Sequence, residues 1–110
     1  MNLPNADAAE IAPEKMRDYL LNPRHPDGAG KAAFFMALGF DADEPAVFAK
    51  ALLTLCIQFP VTSVTKSSHG TKYVIDGALI SPTGRMAMVR TVWIVDSGLT
   101  IPRLVTAFPA

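Results

Sequence analysis

The feature that most constrains this chain is a change of period at Pro60. Before it, apolar residues recur at helical spacing; after it they alternate between short turn sequences. Phe48, Leu52, Leu55 and Phe59 fall at i, i+4, i+7 and i+11, one stripe of one helix. Asp43 is expected to cap that helix, with Glu44 and Pro45 in its first turn. Two shorter helices precede it. Pro13 suits a first helical turn, Met16, Tyr19 and Leu20 share a face, and Asn22-Pro23 stops the run. Lys31 to Leu38 forms the next helix, with Phe34, Phe35 and Leu38 apolar and Gly39 as its C-terminal stop. Residues 1–12 look extended.

Past Pro60 the expected elements are strands. Val61 to Val64 is a short one, Lys66 to Gly70 a polar turn, and Thr71 to Ile80 a longer strand. Ser81-Pro82-Thr83-Gly84 is a type I turn suited to a three-residue hairpin loop, and Met86 to Val95 is the return strand. Asp96-Ser97-Gly98 turns again into Ile101 to Phe108. The fold class is therefore α+β: about three N-terminal helices, within residues 13–59, packed on one face of a 3–4 stranded antiparallel meander at 61–108.

The hairpin loop also fixes register. If Ser81 pairs with Arg85, Tyr73 faces Trp93, Ile75 faces Thr91 and Asp76 faces Arg90. One face then carries Tyr73, Ile75, Leu79, Val89, Thr91 and Trp93, and is the expected core side. The other carries Lys72, Asp76, Met88 and Arg90. Continuing the same phase puts Leu104, Thr106 and Phe108 on the core face and Arg103 on the other.

Composition narrows the function classes. With 110 residues, half of them hydrophobic and 18% charged, the chain makes one domain with a single core. Net charge is zero, against a dedicated high-affinity nucleic-acid binder, although a local basic patch still serves a nuclease. Cys56 sits alone in an apolar run and is expected to be a buried, inert thiol. No leader-like N-terminus and no apolar run of ~20 residues is seen, so a soluble cytoplasmic protein without a membrane partner is expected. The Cys, His and carboxylate spacings match neither a zinc nor a magnesium site, and Asp27-Gly-Ala-Gly30 follows no strand as a phosphate loop would. Neither metal nor cofactor is expected.

The candidate site residues are a polar set scattered through this frame. A histidine side chain can act as acid or base at cellular pH, and His25 lies in a Pro/Gly loop before a helix, where a plain solvated histidine is the more ordinary reading. Lys31 sits in a first helical turn, against the helix dipole, which hints at a ligand anion. Arg90 lies in an otherwise apolar strand and needs a partner, which Asp76 across the hairpin can supply. Thr91 and Thr106 add hydroxyls, and Lys72 and Arg103 add cations to the open face.

Several stretches carry a resemblance: Leu3-Pro-Asn-Ala-Asp7, Lys15-Met-Arg-Asp-Tyr-Leu-Leu21, His25-Pro-x-Gly-x-x-Lys-Ala-x-Phe-Phe35, Gly70-Thr-Lys-Tyr73, Thr91-Val-Trp-Ile-Val95 and Pro102-Arg-Leu-Val-Thr-Ala-Phe-Pro109. Over nearly its whole length the chain resembles an uncharacterised bacterial domain family. Its members occur as small standalone proteins, often beside a small antitoxin, and as C-terminal domains of polymorphic or contact-dependent toxins. The implied architecture is similar to the barnase, colicin and RelE group of metal-independent ribonucleases, an analogy of fold that does not fix activity. The resemblance implies an RNA substrate and a small antitoxin or immunity protein as partners. Cleavage would run through attack of the 2′-hydroxyl, with His25, Lys31, Thr91 and Thr106 in catalytic roles by the matching motifs and Arg90 added from its place in the apolar strand. Lys72, Tyr73, Trp93 and Arg103 would bind substrate. Phe108 stands where tyrosine is frequent, and His69 where an aromatic often precedes the glycine. The competing reading is a non-catalytic protein-binding module of a toxin–antitoxin-type pair.

Overall fold

The computed structural model describes residues 1–16, 20–22, 24–26 and 29–110. Among these residues three α-helices precede a four-stranded antiparallel sheet. α1 (Pro13–Lys15) opens on the expected proline. Beyond it Leu21 N–H donates to Met16 O at 2.9 Å, an i+5 spacing wider than the regular helix expected there. Tyr19 in the first stripe, Pro23 as its stop and Asp27-Gly28 in the following loop lie outside the described residues. α2 (Ala29–Leu38) starts two residues earlier than expected and ends as expected. Gly39 takes φ 125°, and Phe40 N–H closes back on Phe35 O at 3.0 Å, so the chain leaves the helix through a conformation glycine adopts readily.

α3 (Pro45–Gln58) carries the predicted stripe as far as Leu55, with Phe48, Leu52, Leu55 and also Cys56 buried, while Phe59 is its half-buried C-cap. Asp43 does not cap it. The N-cap position is Glu44, without a side-chain cap bond, and Asp43 N–H itself donates to the Asp41 carboxylate at 2.8 Å. The entry is shaped by that Asp41 turn, which also binds Glu44 N–H. The first twelve residues include a short 3-10 turn at Ala6–Ala8 in addition to extended chain, and Leu3 is buried in the core.

The sheet order is β1 (Ser63–Ser67), β2 (Gly70–Ile80), β3 (Met86–Asp96), β4 (Arg103–Pro109), each antiparallel to the next. Lys66 and Ser67 belong to β1, paired with Thr71 and Gly70, so the polar turn shrinks to Ser68-His69. The β2–β3 hairpin has the predicted loop, with Ser81 N–H on Arg85 O and Gly84 N–H on Ser81 O, both at 2.9 Å. Tyr73 faces Trp93, Ile75 faces Thr91, and Asp76 faces Arg90. On the core face Ile75, Leu79, Val89, Thr91 and Trp93 are buried, while Lys72 and Arg90 on the other face are exposed. α3 packs against β2 and α2 against β4.

The expectation for the last strand fails halfway along it. Trp93 faces Leu104 and Ile94 faces Arg103, but beyond a register shift Val92 faces Thr106, Thr91 faces Ala107 and Arg90 faces Phe108. Val105 is the extra residue of a β-bulge, which reverses the side-chain phase downstream of it. Thr106 and Phe108 therefore lie on the Arg90 face, and Ala107 takes the fully buried position.

Helix and sheet are joined at two tight places. The hairpin loop reaches the C-terminus of α2, where Arg85 Nη1 donates to Ala37 O at 2.7 Å, a cation at the negative end of a helix. At the end of α3 the Phe59 ring lies over Gly77 of β2, and a methyl group added at Gly77 would stand 2.5 Å from the ring. Gly77→Ala should therefore cost about 1–3 kcal/mol in a urea titration. A second substitution, Phe59→Leu, should recover part of that loss. Leu52→Ala, which empties the centre of the α3 stripe, should cost roughly 2–5 kcal/mol in the same measurement.

Candidate functional site at the bulged edge of the sheet

The bulge at Val105 organises the polar residues of this protein. A bulge leaves a residue outside the regular ladder. Here the carbonyl of Val105 accepts the Lys15 ammonium at 2.8 Å. One residue on, Thr106 Oγ1 accepts Lys31 Nζ at 3.1 Å, and that ammonium also lies 5.8 Å from the centroid of the Phe108 ring. The position of Lys31 in the first turn of α2 thus has a structural cause: it reaches β4. Two ammonium groups from different elements meet adjacent residues of one strand. Glu10 fixes the same edge further along, its N–H on Pro102 O at 2.9 Å and its carbonyl taking Leu104 N–H at 3.0 Å.

Of the predicted site residues, the structure brings together Lys31, Thr106 and, across the ladder through Phe108, Arg90. Lys15 joins them and was missed by sequence reasoning. Its signal was a lysine directly after the helix-opening Pro13-Glu14, too common a pattern to single out. His25 is half-buried in the segment between α1 and α2, with its N–H on Asn22 O at 3.2 Å.

Other predicted residues lie elsewhere. Thr91 and Trp93 are fully buried. Thr91 Oγ1 donates to Ile75 O at 3.0 Å and accepts the Trp93 indole N–H at 2.8 Å, so both are occupied inside the core and neither presents a group to solvent. Tyr73 is half-buried on the same face. Lys72 is exposed on the opposite face, across from Ile94.

Both arginines are held by carboxylates. Arg90 makes a two-pronged pair with Asp76 at 2.8 and 2.9 Å, as the register implied. Arg103 pairs with Asp96 at 2.7 and 3.0 Å, a partner the sequence reading had assigned to a turn. The guanidinium hydrogen bonds hold both Asp76 and Asp96 below the usual carboxylate range. Arg103 lines a cleft of about 350 Å³ with Glu10, Asp96 and the loop Gly98–Ile101. Burial pushes the Cys56 thiol up to about 11, so no thiolate is present at neutral pH. Among the described residues no three His, Cys, Asp or Glu side chains converge as a metal site requires. Among the same residues no helix is long and apolar enough to cross a membrane.

Two tests address this geometry. The lowered pKa of Asp76 means that the folded protein binds its proton less readily than the unfolded chain. Its contribution is therefore present above the ordinary aspartate range and lost as pH falls below about 4. Asp76→Asn should be less stable than the wild type at pH 7, and the difference should close in denaturant titrations on acidification. Thr91→Val should cost about 1–3 kcal/mol, because the buried Trp93 N–H loses its acceptor, and should red- or blue-shift tryptophan emission.

The fold has a counterpart of known structure. A chain described as belonging to a "Contact-dependent growth inhibition toxin - immunity protein complex from Klebsiella pneumoniae 342" superposes with a TM-score of 0.71. It shares 18% identity, over 94% of this chain and 95% of that one, which is likeness of fold. Among curated proteins nothing matches. A family model matches residues 2–110, and by that match the chain belongs to the family described as "Domain of unknown function (DUF6883)".

Proposed function

We propose that this chain is a toxin-type domain that cleaves RNA without a metal, through attack of a 2′-hydroxyl on the adjacent phosphate. The observation that carries the reading is the pair of ammonium groups, Lys15 and Lys31, drawn to consecutive residues of β4 at the bulge. A chain of zero net charge lacks a general attraction for RNA, so it must gather its cations locally. The fold shared with a chain of the Klebsiella complex supports a toxin–immunity context. The immunity protein of such a pair would be the partner.

In this reading His25 takes the proton of the 2′-hydroxyl as the oxygen attacks phosphorus. The bond from phosphorus to the 5′-oxygen breaks, leaving a 2′,3′-cyclic phosphate, and the departing oxygen takes a proton from water, whose hydroxide the His25 imidazolium then neutralises. Lys31 and Lys15 meet the charge that gathers on the non-bridging oxygens, and the Thr106 hydroxyl orients one of them. Arg90 and Arg103 take no direct part, since each already holds a carboxylate. Thr91 and Trp93 support the strand from within the core and do not touch substrate.

A second reading, a binding module without catalysis, draws support from the same neutralised arginines and from β1, whose five residues are all exposed along the edge of the sheet. Purified protein incubated with RNA in excess EDTA separates the two. Cleavage leaving cyclic phosphate ends is expected, with losses of 10²–10⁴ for His25→Ala and at least 10² for Lys31→Met. Both variants should keep the wild-type melting temperature within a few degrees. Intact RNA with the wild type, or full activity in His25→Ala, would overturn the ribonuclease assignment.

A further inference from the structure

The far half of β2 has an open edge. β1 begins at Ser63, opposite Val74, and just before it Thr62 N–H donates to Val74 O at 2.8 Å as the chain enters the strand. The phase of the ladder then decides which backbone groups are left. Ser81 N–H bonds to Arg85 O, so odd-numbered residues of β2 bond to β3. Even-numbered ones turn their N–H and C=O the other way, as Val74 does toward Thr62. By the same alternation Asp76, Ala78 and Ile80 direct their backbone donors and acceptors away from β3, at an edge that no strand occupies among the described residues.

That edge does not face open water alone. It forms one side of a groove of about 330 Å³, whose other side is α3 with Val47, Lys50, Ala51 and Thr54. Ala78 and Ile80 line it, and Ile80 and Val47 are 62% and 41% exposed. Natural sheets protect edges with lysine, proline or very short strands. β1 has such protection, being five residues long with Lys66 within it. The run Gly77-Ala78-Leu79-Ile80 has none.

We infer that this groove receives an extended segment of a partner protein, which adds as a strand to β2 from Asp76 to Ile80. Main-chain bonds to residues 76, 78 and 80 supply affinity that is independent of sequence. At about 3.3 Å per residue the edge seats roughly five residues. Alternate side chains of the guest face Val47 and Ala51, so these should be apolar. Lys50, the charged residue of the wall, selects a guest with a carboxylate. The site lies on the β1/β2 side of the sheet, away from the bulged β4 edge, and does not rest on the ribonuclease reading.

The test uses the whole chain and a phage-displayed library of random twelve-residue peptides. In the free protein, amide exchange measured by NMR should be fast at Ala78 and Ile80 and slow at Leu79. Selected peptides should alternate apolar residues, carry Asp or Glu, and slow exchange at Ala78 and Ile80 at least tenfold. Ala78→Pro removes a donor that bonds to no other strand, and Ala51→Arg fills the groove from the helix. Each should weaken binding tenfold or more with the melting temperature retained, and Lys50→Glu should disfavour acidic peptides. Slow exchange at Ala78 and Ile80 in the free monomer would overturn the proposal. Recovery of no peptides, or of peptides indifferent to Ala51→Arg, would do the same. Protection that vanishes on dilution would assign the edge to a second copy of this chain instead. Loss of RNA cleavage in His25→Ala with peptide binding intact would separate the two sites.

Discussion

A fully buried tryptophan needs an acceptor for its indole N–H, and here the sheet supplies one from two residues away. Trp93 donates to Thr91 Oγ1, and Thr91 in turn donates to the carbonyl of Ile75 across the ladder. Each polar group in the centre of the core is thereby satisfied, which is the condition for burying it at all. The link also ties β3 to β2 at one register. A slip of a single residue would expose Trp93 and bury Arg90, because side chains alternate. The Asp76–Arg90 pair on the other face follows from the same constraint, since it needs the same pairing.

From that fixed hairpin the rest is placed by edges. α3 covers β2 and seats the Phe59 ring where Gly77 leaves room, and the hairpin loop holds the end of α2 through Arg85. β4 is bound on its outer side by pieces of the N-terminal region: Glu10 by main-chain bonds, Lys15 and Lys31 by their ammonium groups. The bulge makes this possible, because Val105 leaves the ladder and offers its carbonyl outward. A regular strand would have put Thr106 into the core, where Lys31 could not follow without losing hydration.

The hairpin was legible because its loop has few conformations and the two strands must pair in step. Ser81-Pro82-Thr83-Gly84 therefore carried Tyr73–Trp93, Ile75–Thr91 and Asp76–Arg90 with it. The α3 stripe was legible for a similar reason, its spacing matching one period over eleven residues. The bulge was not, since Leu104-Val105 is two apolar residues in succession and alternation reads through it in either phase. Thr106 and Phe108 were assigned to the wrong face as a result. The Asp96–Arg103 pair was hidden because turn aspartates are ordinary, and its partner is fixed by the register on the far side of the turn. Thr91 illustrates the converse difficulty: its place on the core face was correctly read, yet a catalytic role was assigned by resemblance to a hydroxyl the core consumes.

The two edges of this sheet are chemically unlike, and the difference bears on what each can recognise. At β4 the Val105 carbonyl and the Thr106 hydroxyl meet lysines, and Glu10 bonds to the strand's main chain, so that edge is engaged by elements far apart in sequence. On the ribonuclease reading proposed above, the ammonium groups there would meet the phosphate oxygens of RNA. At the far half of β2 the groups left over are main-chain donors and acceptors beside apolar side chains, with one lysine on the opposing helix. Such an edge reads an extended peptide. Charge and strand pairing fall off differently with salt: the first is screened over about 8 Å at physiological ionic strength, the second hardly at all. The two proposed sites therefore separate by salt as well as by place: binding of RNA at β4 would weaken as ionic strength rises, and strand addition at β2 would not.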